Sequence, residues 1–310
     1  MTLGKRVRGA LEDGLKPAVR KIAKTTEGAV RSVGHGFERV AENTEANEKE
    51  VTGGLRKYFI HDDGKVERLD NGALHALSND DRKALGNLID KHDQVRDPTD
   101  EEMDELFNAR RMTRKKDRER FAPDDPNALR VKSNKIKGPT ELSNATEEAR
   151  RATGDYGHGN YAALKYRDES GNEFAVVGRS SYARNHSERS IGKPFLRAGK
   201  ASGVREVYTE RAPCDDGKIG SNCDLWLGRY FKRENPDLQV SHGVDYTSAT
   251  PKETRDLGHS AYVDQLTQDH KAGNYGGTMG TADFDARGAQ QYAQAQAQAQ
   301  AGGGRQRQGI

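Results

Sequence analysis

Three sequence features of this 310-residue chain could together do chemistry: His186-Ser187-Glu188, Pro213-Cys214 and Cys223. Cys214 and Cys223 are its only two cysteines. One imidazole and two thiolates make a three-ligand zinc set, leaving the fourth tetrahedral position for water, as a catalytic zinc requires. Zinc lowers the pKa of bound water to about 7, so hydroxide becomes available at neutral pH. Glu188 stands two residues after the histidine, where it can lie beside the metal on the first turn of a helix without binding it. From there it can take the water's proton and pass it to a substrate. The bland readings are inert buried cysteines, or a disulfide if the protein is exported. What favours the metal is the order in which the elements occur.

That order runs over residues 155–270. Tyr161–Tyr166 and Glu173–Val177 read as two strands joined by the turn Asp168-Glu169-Ser170-Gly171-Asn172. A helix is expected from His186 to Ala198, a strand over Val204–Tyr208, a helix over Cys223–Arg233, a strand at Leu238–Val240 and a helix over Pro251–His270. The β-β-α-β-α-β-α order predicts a layered α/β domain. His158, His242 and His259 have no ligand-spaced partner and are not expected to bind metal. Trp226, the only tryptophan, is expected to pack its helix onto the sheet.

His186-Ser187-Glu188, followed by Tyr208-Thr209-Glu210-Arg211-Ala212-Pro213-Cys214 and then Cys223, resembles the cytidine deaminase-like superfamily. It resembles more narrowly the nucleic acid or nucleotide deaminase domains of bacterial polymorphic toxins. The resemblance covers roughly residues 155–250. It implies a three-layer α/β fold, zinc held by His186, Cys214 and Cys223, and Glu188 as catalytic proton shuttle in hydrolytic removal of an amine from cytosine, more than adenine. One departure stands out. The common superfamily pattern is Pro-Cys-x-x-Cys, whereas eight residues, Asp215 to Asn222, separate these cysteines. Tyr182, Arg184 and Asn185, on the loop before the catalytic helix, are the candidate substrate-binding residues, with Arg179 and Arg189 as further phosphate contacts. Two other functions compete: an interaction or structural protein that keeps the fold without activity, and a free nucleoside or nucleotide deaminase.

Composition bounds the rest. Charged residues make up 32% of the chain and apolar residues 33%, so a modest core flanked by solvated segments is expected. Residues 1–40 hold nine basic and four acidic side chains and place Leu3, Val7, Leu11, Leu15, Val19 and Ile22 on one helical stripe. Residues 1–50 are thus expected to be a basic amphipathic segment with a linker, partly disordered. Small helical pieces are expected over 51–126, capped at Ser78 and Thr99, with a basic run from Arg110 to Arg120. A linker over 127–154 and a disordered Gly/Ala/Gln-rich tail over 271–310 complete the expected organisation. No transmembrane span or secretory signal is visible. The expected location is therefore the cytoplasm of the producing cell, with delivery outside by a specialised route. The expected partners are nucleic acid or nucleotide, and an immunity protein or delivery apparatus met through the N-terminal helices.

Overall fold

Runs rich in β-branched and aromatic residues build an eight-stranded sheet in a computed structural model that describes residues 54–99, 101–102, 130–215 and 221–305. The strands are β1 (Arg56–Ile60), β2 (Val66–Asp70), β3 (Ala73–His75), β4 (Asn134–Lys135), β5 (Tyr161–Arg167), β6 (Glu173–Arg179), β7 (Val204–Arg211) and β8 (Gln239–Val244). Their order across the sheet is β3-β2-β1-β6-β5-β7-β8-β4. The central strand β5 is antiparallel to both β6 and β7. The pairs β1–β6, β7–β8 and β4–β8 are parallel.

Alternation along the strands sends side chains to both faces, and each face is covered. Ala162, Leu164 and Tyr166 of β5 with Phe174 and Val176 of β6 share a core with α3 (Ser187–Arg197) and α4 (Cys223–Leu227). Tyr161 and Ala163 with Ala175 and Val177 face α2 (Glu141–Thr153) and α6 (Leu257–Lys271), which follows the short α5 (Lys252–Arg255). The mixed sheet between two helical layers is the expected three-layer architecture. Trp226 is buried against Tyr230 and Phe231, as expected of a packing residue. A Cβ at Gly192 of α3 would stand 2.7 Å from the Trp226 ring, so glycine lets α3 and α4 approach closely. His186 caps the first of these helices and Cys223 opens the second.

Three expectations need correction. Residues 54–75 are strands, not small helical pieces, and β1 pairs in register with β6. The overlooked signal is Asn71-Gly72 (φ +51° and +71°), a left-handed pair that joins β2 to β3. The expected cap at Ser78 is present, and α1 (Asn79–Leu85) follows it. Residues 141–153 are not a linker but α2, capped by Thr140 and closed by Gly154 (φ +66°). Its buried face alternates Leu142, Ala145 and Ala149 with the equally buried Ser143, Thr146, Glu147 and Arg150, which masks the apolar period. Nor is the tail without structure, because α7 (Phe284–Arg305) begins by burying Phe284 against Tyr262. The described residues from Gly54 onward cluster as one compact unit. The N-terminal stripe and the basic run at 110–120 lie outside the described residues. The Thr99 and Glu102 capping-box bonds are both made, but the rest of that expected helix also lies outside them.

A buried ion network locks α2 to the sheet. Arg150 and Glu210 are both fully buried, joined at 2.6 Å and 2.7 Å, and His259 reaches Glu210 at 3.0 Å. Arg150 also donates to the carbonyls of Asp155, Gly157 and Gly159, fixing the loop that enters β5. The Arg150 guanidinium overcomes burial and holds Glu210 down to about 2, while burial pushes His259 down to about 4. Both groups have folded values below their ordinary ones. Glu210 therefore stabilises the fold at neutral pH and loses that contribution between about 4.5 and 2, whereas His259, neutral at pH 7 folded or unfolded, adds a cost in acid that grows between about 6.5 and 4. Arg150→Ala leaves an unpaired buried carboxylate and should cost about 3–5 kcal/mol in urea unfolding at pH 7. A loss below about 1 kcal/mol would show that the pair is not a determinant of stability.

Candidate active site

Two left-handed asparagines aim the candidate ligands. Asn185 (φ +66°) turns the chain out of the loop after β6, so that His186 becomes the N-cap of α3. Asn222 (φ +52°) does the same for Cys223, the first residue of α4. Cys214 follows the end of β7, where Ala212 N–H donates to the Val244 carbonyl at 2.9 Å. The Cys214 carbonyl then accepts from Asp224 N–H, drawing the start of α4 onto it. The insert between the cysteines leaves this meeting point intact. Asp215 at its beginning is held by Ser248 N–H at 2.8 Å and by Arg130, while residues 216–220 lie outside the described residues.

His186, Cys214 and Cys223 converge, with their ligand atoms all within 4.8 Å of one another. His186 Nδ1 is 3.6 Å from Cys214 Sγ and 3.4 Å from Cys223 Sγ. Zn–N and Zn–S bonds of about 2.0–2.3 Å at a tetrahedral angle place nitrogen and sulfur about 3.6 Å apart. The donor types and spacings therefore fit zinc. Cys214 and Cys223 are buried whereas His186 is half-exposed, so the cluster has a protein side and a solvent side. The Cys223 thiol, with help from His186, brings Cys214 down to about 4 despite its burial. Burial pushes Cys223 well up, and the hydrogen bond to Cys214 raises His186.

Glu188 is 3% exposed and occupies the first turn of α3, two residues beyond His186. Burial, reinforced by the charge of Cys214, raises its carboxyl above the usual range, while His186 pulls it back. A carboxyl that holds a proton more readily than usual suits an acid–base role. Ser187 Oγ donates to its Oε2 at 3.2 Å.

The candidate substrate residues divide. Tyr182 is fully exposed at the tip of the loop before His186, and Asn185 is half-buried beside it. Arg184 is buried, donating to Asp97 Oδ1 at 2.8 Å and to both the hydroxyl and the carbonyl of Ser190. Arg179 pairs with Asp62 and Asp155, and Arg189 lies over Trp226 and donates to the Ser221 carbonyl. These guanidinium groups hold the loops around the site together. His242 is engaged by Ser133 and Asp245, and exposed His158 faces Ser260 at 3.4 Å. Among the described residues, His186, Cys214 and Cys223 form the group placed to share an ion. A polar groove of about 450 Å³ beside Lys200 and Arg205, at the far end of β5, contains none of these residues. Sequence reasoning missed Asn160, which bonds to Ser187, because nothing in the Gly157–Asn160 stretch marks it out.

A three-layer fold with His, Cys and Cys converging beside a buried Glu defines a deaminase-like domain. Residues 157–259 match the family described as Xanthomonas-like deaminase, which places this part of the chain in the deaminase-like superfamily. Neither the curated proteins nor the solved structures yielded a match to the chain. No helix among the described residues is long and apolar enough to cross a membrane.

Proposed function

We propose that this domain is a zinc-dependent hydrolytic deaminase acting on a nucleobase, cytosine before adenine, in a nucleic acid or nucleotide. The observation that carries the reading is the convergence of His186, Cys214 and Cys223 beside the buried Glu188. Zinc bound by these three residues supplies the Lewis acidity that brings the pKa of water to about 7. Glu188 takes one proton from the attacking water and delivers it to the ring nitrogen, then takes the second from the new hydroxyl and delivers it to the departing amine. A carbon–oxygen bond forms at the amino-bearing ring carbon, its carbon–nitrogen bond breaks, and ammonia leaves. Each turnover therefore returns the Glu188 carboxyl to its starting state.

Tyr182 supports a substrate whose base stacks on the loop before His186, because an exposed ring four residues before that ligand offers a flat face to any base. Tyr182→Ala should raise KM by about fivefold or more with kcat little changed. An unaltered KM would remove Tyr182 from the binding surface. Within this reading the chain is a bacterial toxin or effector. Its basic N-terminal segment meets a delivery apparatus or an immunity protein, and it works outside the cell that makes it.

The test is incubation of purified, zinc-loaded protein with single- and double-stranded DNA, RNA and free nucleotides, followed by sequencing and ammonia release. C-to-T or A-to-G conversion identifies the base, and the polymer that reacts identifies the substrate class. Zinc bound in full with no amine lost from any of them would instead favour an interaction protein that retains the fold.

A further inference from the structure

Asn160 stands one residue before β5, is 8% exposed, and joins three elements. Its Oδ1 accepts the Arg211 backbone N–H at 2.9 Å. Its Nδ2 donates to Ser187 Oγ at 2.8 Å and to Thr209 Oγ1 at 2.7 Å. Its carbonyl accepts from Ser180 N–H at 2.7 Å. The orientation of the carboxamide follows from chemistry, since only the oxygen can receive an N–H, and the NH2 must then face both hydroxyls.

Two consequences follow at the site. Ser187 lies between His186 and Glu188, while Thr209 and Arg211 lie on the strand that leads to Cys214, so one carboxamide ties the start of α3 to the end of β7. A serine hydroxyl also carries a single proton. Because Asn160 donates to Ser187 Oγ, that proton is directed away from Asn160 and onto Glu188 Oε2. Both amide hydrogens of the buried Asn160 side chain are spent in this arrangement and its oxygen is held by Arg211 N–H, so no donor is left to reach a substrate.

We propose that Asn160 is the positioning residue of the site. Through Thr209 and Arg211 it sets α3 against β7 so that His186 meets the cysteines, and through Ser187 it aims the carboxyl of Glu188. The second half rests on the proposed role of Glu188 as proton carrier. Asn160→Asp keeps the shape and the acceptor for Arg211 N–H but puts an oxygen where the NH2 stood. The Ser187 proton then turns toward the new carboxylate and away from Glu188.

Four variants of the full chain test this: Asn160→Asp, Ser187→Ala, the double variant, and Asn160→Ala. Asn160→Asp and Ser187→Ala should each keep one zinc and lower kcat at least tenfold with KM within about twofold, as for groups that support a reacting centre without touching substrate. The double variant should be no slower than the worse single, because both changes break one relay. In Asn160→Ala, zinc should pass to a chelator at least tenfold faster than in the parent. Losses that multiply in the double variant, an unchanged kcat in Ser187→Ala, or an unchanged rate of zinc release in Asn160→Ala each overturn the proposal. If the aspartate variant does not fold, Ser187→Ala decides the relay by itself. A parent chain that binds zinc yet deaminates nothing defeats the proposed function, while the zinc-release comparison still decides the role of Asn160.

Discussion

Glu188→Gln should lower kcat by about 10²- to 10⁴-fold, the range over which positioned acid–base groups act, while one zinc per chain is retained. The variant keeps the size of the side chain and a carbonyl oxygen to accept from Ser187 Oγ, so α3 should keep its seat. Only the ability to take up and release a proton is removed. KM should stay near the parent value, because Glu188 is buried in the first turn of α3 whereas the exposed ring of Tyr182 is the proposed base contact. The measurement is steady-state turnover alongside metal content. Retention of more than a tenth of the parent kcat would mean that the proton travels by another route.

His186→Ala, Cys214→Ser and Cys223→Ser should each abolish turnover by abolishing the metal. The three ligands share one small volume, with Nδ1-to-Sγ separations of 3.6 Å and 3.4 Å, and a catalytic zinc cannot be held firmly by two of them. Metal analysis should fall from one zinc per chain to none. The fold should survive without zinc, because the two hydrophobic cores on the faces of the sheet do not depend on the ion. It should nevertheless melt lower, since zinc at 100 to 1,000 times its Kd adds about 2.7–4.1 kcal/mol, or roughly 5–15 °C for a domain of this size. A chelator should reproduce this shift in the parent chain and have no effect on the ligand variants. If a ligand variant keeps stoichiometric zinc and full turnover, the metal is bound elsewhere.

Much of the site was legible because its chemistry sits next to the boundaries of elements. His186 lies at the mouth of a helix, Cys214 just past a strand and Cys223 at the start of the next helix, and the local patterns that mark those boundaries locate the residues. Arg184 shows where such reading stops. Its place beside the motif suggests a phosphate contact, yet its guanidinium is turned inward to Asp97 and Ser190, and Asp97 is a partner 87 positions away. Asn160 shows the converse. It is an unremarked polar residue before a strand, and its importance comes only from Ser187, Thr209 and Arg211, which are 27, 49 and 51 positions away.

Residue types and local periodicity by themselves pointed to the candidate ligands, the candidate proton carrier and the run of elements from β5 to α6, since each signal depends on neighbours within one or two turns of chain. The tertiary structure decided the rest: that β1 joins β6, that α2 is buried through Arg150 and Glu210 as well as through leucine and alanine, and that the interval between the cysteines still brings Cys223 back to Cys214. The first two are contacts between distant segments, and the third closes a loop whose ends no local pattern brings together. Strand pairing and buried charge pairs gain their free energy from partners that a local pattern does not encode.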